Sequence, residues 1–343
     1  MPAARILQEV CAAETREVAL DETGRPIAVR LTRLTEDRPV RIGEVMTGRL
    51  HTISLPQGGG FVELENHAGD AFLRLQEGHG LREGQSLEVG VVAEAREGSK
   101  LPRVALAEKT PDFRFLAPWG TAKVEPVEPG DQTVAMAFDM VVSDTVNLPG
   151  GGNITLERTR ALVAVDVDTS GRTDTGRAAS RALKVNLDAA AELARQLRLR
   201  NLGGLIVMDC VSPLNREAGK QIRDRFNTVF RNVSDQRARV LLPSDLGLLQ
   251  ASVEWAETPI AERLLGPTGE KTPRSVCFDG FRRLEQEARA KRMDKLCLDL
   301  PRPALDWLNR DGDSLRQALA EKYGDRFTYD STNPTSPIVF TVP

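Results

Sequence analysis

Hydrophobic residues follow two different periods along this chain, and the change falls near residue 148. From about residue 38 to residue 109, apolar and polar positions alternate in short runs separated by glycine-bearing turns, as in GGFVELENHAGDAFLRL. A period of two predicts β-strands, and four or five such strands are typical of a small closed barrel, for example an OB-fold. Residues 15–32 predict an earlier strand pair around an Asp-Glu-Thr-Gly turn.

Downstream of LPGGGN, at residues 148–153, predicted strands and helices alternate. The apolar runs at 162–167 and 205–208 predict buried strands, and between them Leu and Ala recur at helical spacing. A second helix is expected to begin at Ser212-Pro213, and a third strand follows at 237–242. Because the connections are short, this order predicts neighbouring parallel strands joined by right-handed crossovers.

The complete pattern predicts a multi-domain α+β protein. It combines an OB-type β-barrel, an α/β domain with parallel strands and a small α+β C-terminal domain, and a proline-rich stretch without periodicity predicts the linker. The predicted domains are an N-terminal hairpin packing on the core at 1–35, the barrel at 36–109, a linker with a remnant strand or helix at 110–147, the α/β domain at 148–265 and the C-terminal domain at 266–343.

Composition narrows the chemistry that this chain can use. Its four cysteines are scattered without a CxxC pair, which argues against a disulfide framework and a local zinc site. The start has no signal-peptide pattern and no apolar run approaches a membrane span, so we expect a cytoplasmic protein with no membrane partner.

The net charge is −3, yet residues 172–239 hold fourteen Lys and Arg against seven Asp and Glu. This local excess fits either a polyanion partner or solvated helix faces.

Two of the predicted strands in the α/β domain end on aspartate. Asp166 and Asp168 close the first strand, and Asp209 closes the second. Because parallel strands end at a common edge, Asp166 and Asp209 are expected to lie close together, about 4.8 Å apart if their strands pair. A hard divalent ion such as Mg²⁺ would relieve their repulsion and could activate water beside a phosphate. Alternatively, each aspartate caps the helix that follows it, and the pattern leaves both interpretations open.

Two stretches resemble a known family. ALVAVDVDTSG and VNLDAAAELARQLRLRNLGGLIVMD closely resemble the catalytic core of the ribonuclease E/G family of bacterial endoribonucleases, and the resemblance spans about residues 140–255. It implies that Asp166 and Asp209 are catalytic ligands of one Mg²⁺ per active site. The family has an asparagine where this chain has Asp168, so this third acid, also expected to be catalytic, either adds a ligand or adds repulsion.

The resemblance extends more weakly to the barrel, which implies an RNA-binding domain before an α/β catalytic domain. Phe61 and Phe72 stand where the family stacks aromatic rings on RNA bases, although both side chains would also suit the barrel core. Further RNA contacts are expected from basic residues, for which the alternative is plain solvation, and Asn186 suits packing or capping as well as the site. The basic residues are Arg96 and Lys100 near the barrel, and Arg172, Arg177 and Arg181 in the segment that follows Asp166 and Asp168.

Two departures from the family pattern shape the predicted function. The chain lacks the family's long insert with its 5′-monophosphate-sensing pocket and lacks the CPxC zinc link, so it resembles a shortened member and no zinc is predicted. We expect a Mg²⁺-dependent endoribonuclease that prefers single-stranded RNA, acts in RNA processing (rRNA included) or decay, and leaves 5′-phosphate and 3′-hydroxyl ends. The alternative is a catalytically weak or inactive RNA-binding paralogue, and a dimer platform for other proteins ranks lower. A homodimer, if it forms, has to do so without a zinc link.

Overall fold

The structure is a computed structural model that describes residues 4–34, 40–67, 69–96, 100–109, 119 and 122–342. Residues 110–118, 120 and 121 of the predicted linker lie outside the described residues. The strands of the described ranges are β1 Arg5–Val10, β2 Glu14–Leu20, β3 Pro26–Arg33, β4 Val45–Ser54, β5 Gly59–Leu64, β6 Asp70–Arg74, β7 Ser86–Ala93, β8 Arg103–Leu106, β9 Lys123–Val127, β10 Thr145–Asn147, β11 Asn153–Arg158, β12 Leu162–Asp168, β13 Gly204–Asp209, β14 Ala238–Val240, β15 Leu248–Val253, β16 Lys295–Asp299, β17 Phe327–Asp330 and β18 Ile338–Val342. The helices are α1 Gln132–Val142, α2 Ala178–Leu199, α3 Arg216–Val233, α4 Ile260–Leu264, α5 Pro273–Ala290, α6 Arg302–Asp311 and α7 Asp313–Tyr323.

The chain divides into two compact units. Unit 1 comprises residues 1–3, 37–122 and 143–259, and unit 2 comprises residues 4–36, 123–142 and 260–343. The mixed α+β class predicted from the sequence is confirmed, while the limits of the five predicted domains stay a prediction. Among the helices that the structure describes, none is both long enough and apolar enough to span a membrane.

Unit 1 begins with the predicted closed barrel, in the strand order β4-β5-β6-β8-β7. Neighbouring strands are antiparallel except β6 and β8, which pair in parallel. Alternate side chains of the strands fill the interior, where Leu50, Val62, Val89 and Val91 are fully buried. The intervening positions therefore face outward, as the period of two requires.

The second part of unit 1 is a six-stranded sheet in the order β10-β11-β12-β13-β15-β14. The parallel pairing of β12 with β13 is confirmed. The expectation that the third predicted strand neighbours them is wrong, because β15 lies between β13 and β14 and is antiparallel to both. The connection from β14 to β15 is a tight hairpin with Gly247 at φ +84°, and so short a loop cannot carry a parallel crossover.

Helices α2 and α3 cover one face of this sheet. Val163, Val165 and Met208 point toward the helices and are buried, whereas the residues that alternate with them point to the opposite face. The sequence places the start of α3 too early. The helix begins after Asn215, whose side-chain oxygen accepts a hydrogen bond from the Ala218 N–H.

Unit 2 contains two further sheets. The first has the order β3-β2-β1-β9 and includes the predicted hairpin β2–β3, while β9 is a strand within the predicted linker and pairs in parallel with β1. The second sheet, β17-β16-β18, packs with α5, α6 and α7 around a core that includes Phe278 and Leu298. Helices and strands are both present in this region, in agreement with the α+β character predicted for it.

A buried ionic cluster joins the two ends of the chain within unit 2. The Glu14 carboxylate accepts hydrogen bonds of 2.6 Å from Arg16, Arg33 and Arg282. Burial by itself would raise the pKa of Glu14, but the guanidinium groups of Arg16, Arg282 and Arg33 outweigh that effect and hold the pKa well below its usual range.

Candidate functional site

The parallel register of β12 and β13 places two of the predicted acids side by side. Leu162 pairs with Leu205, and the same offset of 43 residues continues to Val165 and Met208. One position further along, that offset places Asp166 beside Asp209. Both aspartates are exposed, while Val165 and Met208 before them are buried, so both carboxylates lie on the face away from α2 and α3.

Neither aspartate caps the helix that follows it. The residue at the start of α2 is Arg177, which makes no side-chain capping bond, and the start of α3 is capped by Asn215. The helix-capping interpretation of Asp166 and Asp209 is therefore wrong, and the two carboxylates remain directed to solvent at the sheet edge. Their strand neighbours on the outer sides are Thr155 on β11 and Leu248 on β15.

Asp168 is occupied by hydrogen bonds of its own. One carboxylate oxygen accepts from the Ser170 N–H at 2.9 Å and from the Ser170 hydroxyl at 2.8 Å, and the other accepts from Asn153 Nδ2 at 3.1 Å. The bonds from Ser170, followed by that from Asn153, lower the pKa of Asp168. Among the described residues, no three His, Cys, Asp or Glu side chains converge as a metal site. The acidic edge is thus a pair of carboxylates with an anchored third acid nearby.

Asn186 fixes the loop that follows Asp209. Its side chain is fully buried on α2, its Nδ2 donates to the Val211 carbonyl at 2.8 Å, and its Oδ1 accepts from the Val211 N–H at 2.9 Å. This pair of bonds ties α2 to the backbone two residues after Asp209. The neighbouring Cys210 is buried, and burial raises the pKa of its thiol to about 11, so it is a neutral thiol near pH 7.

Arg172 is enclosed by its own unit. Its guanidinium donates to Asp174 at 2.5 Å, to Asp188 at 2.9 Å and to the Gly151 carbonyl at 3.0 Å, and only 7% of the side chain is exposed. These bonds join the loop before β11, the loop after β12 and helix α2. Arg172 was expected from the sequence to contact RNA, but its guanidinium forms hydrogen bonds that hold the loops before β11 and after β12.

Arg177 and Arg181 differ from Arg172 because both are exposed at the first turn of α2. They are four residues apart and so lie on the same side of the helix. Two further exposed cations, Arg216 and Lys220, occupy the first turns of α3 with the same spacing, and sequence reasoning did not single them out. Because α2 follows β12 and α3 follows β13 along the chain, all four cations lie on the first turns of the helices that come after the two acidic strands.

On the barrel, Phe61 and Phe72 face outward. They are directly paired across β5 and β6, and their ring centroids are 5.8 Å apart at an interplanar angle of 70°. Their neighbours Val62 and Leu73 fill the core, so the barrel-core interpretation of the two phenylalanines is wrong. The Phe72 ring lies over Gly59, where an added Cβ would come within 2.3 Å of the ring, and glycine is therefore required beneath it.

Arg96 and Lys100 occupy a different part of unit 1. The Arg96 guanidinium lies 3.4 Å from the centroid of the Trp255 ring, and its backbone pairs with that of exposed Lys100. Around them, the Trp255 indole N–H donates to the Glu94 carbonyl at 3.2 Å, and the Thr258 N–H donates to the Glu94 carboxylate at 3.0 Å. This contact region connects the barrel to the six-stranded sheet.

The closed five-stranded barrel has the architecture of an OB-fold, which in other proteins binds oligonucleotides and oligosaccharides. Residues 130–254 match the family model described as "Ribonuclease E/G family". The resemblance identified from the sequence is thereby confirmed. The matched segment contains Asp166, Asp209 and Asn186.

Curated relatives carry the names ribonuclease E and ribonuclease G. Ribonuclease E of Haemophilus influenzae is 36% identical over 156 residues, which cover 42% of this chain and 16% of that protein. Ribonuclease E of Escherichia coli K12 is 31% identical over 183 residues, covering 51% of this chain and 17% of that protein. Ribonuclease G of Escherichia coli K12 is 27% identical over 204 residues, covering 55% and 40%. The chain thus spans less than a fifth of the ribonuclease E relatives and less than half of ribonuclease G.

Proposed function

We propose that this protein is an endoribonuclease that cuts single-stranded RNA in RNA processing or decay. The observation that carries the proposal is the register of β12 and β13, which brings Asp166 beside Asp209 on an exposed sheet face inside the family segment. The names of the relatives support the same activity. Cleavage is proposed to leave 5′-phosphate and 3′-hydroxyl ends.

The donor set at the acidic edge fits a magnesium ion. Two carboxylates on adjacent strands offer oxygen ligands, and Mg²⁺ binds through one or two carboxylates while keeping several waters. Asp166 and Asp209 would hold one ion per active site. When bound, Mg²⁺ polarises a phosphoryl oxygen and lowers the pKa of water. Zinc forms no part of the proposal.

Other residues of the chain support the pair without touching the reacting atoms. Asn186 and Arg172 hold the loops that follow β13 and β12, and they therefore fix where the two carboxylates point. Arg177 and Arg181, at the start of α2, are proposed to bind the phosphates of the RNA strand that crosses the edge. Phe61 and Phe72 are proposed to stack on unpaired bases, which gives the preference for single strands.

The decisive experiment compares cleavage and binding in the same variants. With labelled single-stranded RNA and Mg²⁺, wild type should cleave, and Asp166→Asn and Asp209→Asn should lose cleavage while keeping RNA affinity measured in chelator. Asp224→Asn, an exposed aspartate on α3, is the matched control and should cleave normally. Calorimetric titration with Mg²⁺ should show binding to wild type that both site variants lose. Normal cleavage by either site variant would contradict the proposal.

The second candidate is a catalytically weak or inactive RNA-binding paralogue. It is favoured by one observation, which is that Asp168 replaces the asparagine of the family pattern and that its carboxylate accepts hydrogen bonds from Ser170 and Asn153. RNA binding without cleavage, with or without Mg²⁺, would establish this alternative.

The proposed enzyme does not sense the 5′ end of its substrate. It should therefore cleave 5′-monophosphorylated and 5′-triphosphorylated forms of one RNA at equal rates, and a large difference between the two rates would refute this part. A homodimer without a zinc link and a cytoplasmic location stay predictions.

A further inference from the structure

The outward aromatic pair on the barrel has a third ring beside it. His51 lies on β4, with its ring centroid 6.3 Å from that of Phe61 and the two planes within 28° of parallel. Phe61 in turn contacts Phe72, so three rings from three adjacent strands form one continuous outer surface. We call His51, Phe61 and Phe72 the ring surface.

The backbone of β4 is irregular at His51. Leu50 pairs with Val62, but the next paired residue is Thr52, which lies opposite Phe61. His51 is thus the extra residue of a β-bulge, and both His51 and Thr52 are exposed. Bulges redirect side chains and are frequent next to functional sites. The bulge keeps the imidazole on the outer face of the barrel beside Phe61.

Both ring nitrogens of His51 are held by neighbouring side chains. Nε2 lies 3.0 Å from Asp70 Oδ1, which it reaches across β5, and Nδ1 lies 2.9 Å from the Thr52 hydroxyl. With the proton on Nε2, the ring donates to Asp70 and accepts from Thr52. The side chains of His51 and Asp70 remain 39% and 38% exposed. Since both nitrogens are occupied, the imidazole offers an incoming ligand its face.

We infer that His51 is a third base-stacking residue of the RNA-binding surface, and that the bulge and Asp70 hold it in place. This inference rests on the proposed function, because it assumes that Phe61 and Phe72 bind unpaired bases. An oriented ring stacks on any base, so His51 extends the surface by about one base without adding sequence preference. Asp70 is a positioning residue in this arrangement, because it acts through His51.

Four variants of the full chain separate stacking from other roles of His51. Affinity for a short fluorescein-labelled single-stranded RNA is measured by anisotropy in chelator, so that cleavage does not interfere. His51→Ala should weaken binding roughly five-fold or more, the lower end expected for one stacked base. His51→Phe keeps a ring and should bind as wild type does, whereas His51→Gln keeps hydrogen-bonding capacity without a ring and should be as weak as His51→Ala. His79→Ala, a histidine between β6 and β7, is the matched control and should bind normally.

The outcomes distinguish this inference from the proposed function. If Phe61→Ala and Phe72→Ala weaken binding while His51→Ala does not, the inference is overturned and the proposed function stands. If His51→Gln binds normally and His51→Phe does not, hydrogen bonding rather than stacking is its role, and the inference is again overturned. Thermal melts of all variants establish that weak binding is not loss of fold. The cleavage assay on Asp166→Asn and Asp209→Asn tests the proposed function separately.

Discussion

Replacing Asn186 should damage both the stability of unit 1 and the acidic edge. Asn186→Ala removes the two hydrogen bonds to Val211 and leaves that N–H and that carbonyl without their partner. An unsatisfied buried group costs about 1–3 kcal/mol, and the lower half of that range applies because Val211 is only half-buried. For two groups we expect a loss of about 2–4 kcal/mol in the free energy of unfolding.

The same change should slow cleavage more than its effect on folding explains. Val211 is two residues after Asp209, and a misplacement of about 1 Å at a reacting group can cost on the order of 100-fold in rate. Urea unfolding followed by tryptophan fluorescence gives the free energy, and single-turnover cleavage at saturating Mg²⁺ under native conditions gives the rate. Gln221→Ala, an exposed amide on α3, is the control and should change stability by less than about 0.5 kcal/mol. A stability loss below about 1 kcal/mol with unchanged cleavage would refute the reasoning.

Further predictions concern charge and packing. Changing Arg177 and Arg181 together to Gln should reduce the slope of log affinity for single-stranded RNA against log salt by about 1.4, since each phosphate contact contributes about 0.7. Arg172→Ala should instead leave that slope unchanged and lower the melting temperature, because its guanidinium binds within unit 1. Because the pKa of Glu14 is lowered in the folded state, its contribution to stability is present above its ordinary pKa of 4.5 and is lost as the pH falls below that value. Denaturation as a function of pH should therefore show a decline in this acid range that Glu14→Gln reduces. Phe226→Ala, at a fully buried position on α3, should cost about 3–5 kcal/mol in urea unfolding.

Regular periodicity made much of the fold predictable. The barrel strands alternate apolar and polar residues because one face of each strand fills the interior, and this pattern is visible without any knowledge of pairing. The order of strands in the six-stranded sheet was harder to predict. Strand β15 enters between β13 and β14 through a hairpin, and the apolar residues at 248–253 suit a neighbour on either side. Strand β9, only five residues long, pairs with β1 more than a hundred residues away.

The same distinction holds for the candidate site: residues placed by strand periodicity could be predicted from the sequence, and residues placed by packing could not. Asp166 and Asp209 could be placed together from sequence because each ends an apolar strand and the two strands share one register. Phe61 and Phe72 could be proposed from the sequence as base-stacking residues. Whether they face outward or into the barrel depends on which alternate residues of β5 and β6 are buried. His51 gave no such signal, because its position depends on a bulge and on Asp70, which the chain supplies from another strand.

The arginines after β12 show why residue type does not distinguish a ligand-binding cation from a structural one. Three arginines with the same charge stand close together in the sequence, at positions 172, 177 and 181. Of these three, Arg172 forms the ion pairs with Asp174 and Asp188. Asp188 lies sixteen residues further on in α2, so the pairing depends on how the loop packs against the helix. The ion pairs of Arg172 hold the loops after β12, whereas Arg177 and Arg181 are exposed, as their proposed role in binding phosphates requires. Residue type alone therefore does not tell which of the three arginines is structural, because the packing of the loop against α2 determines it.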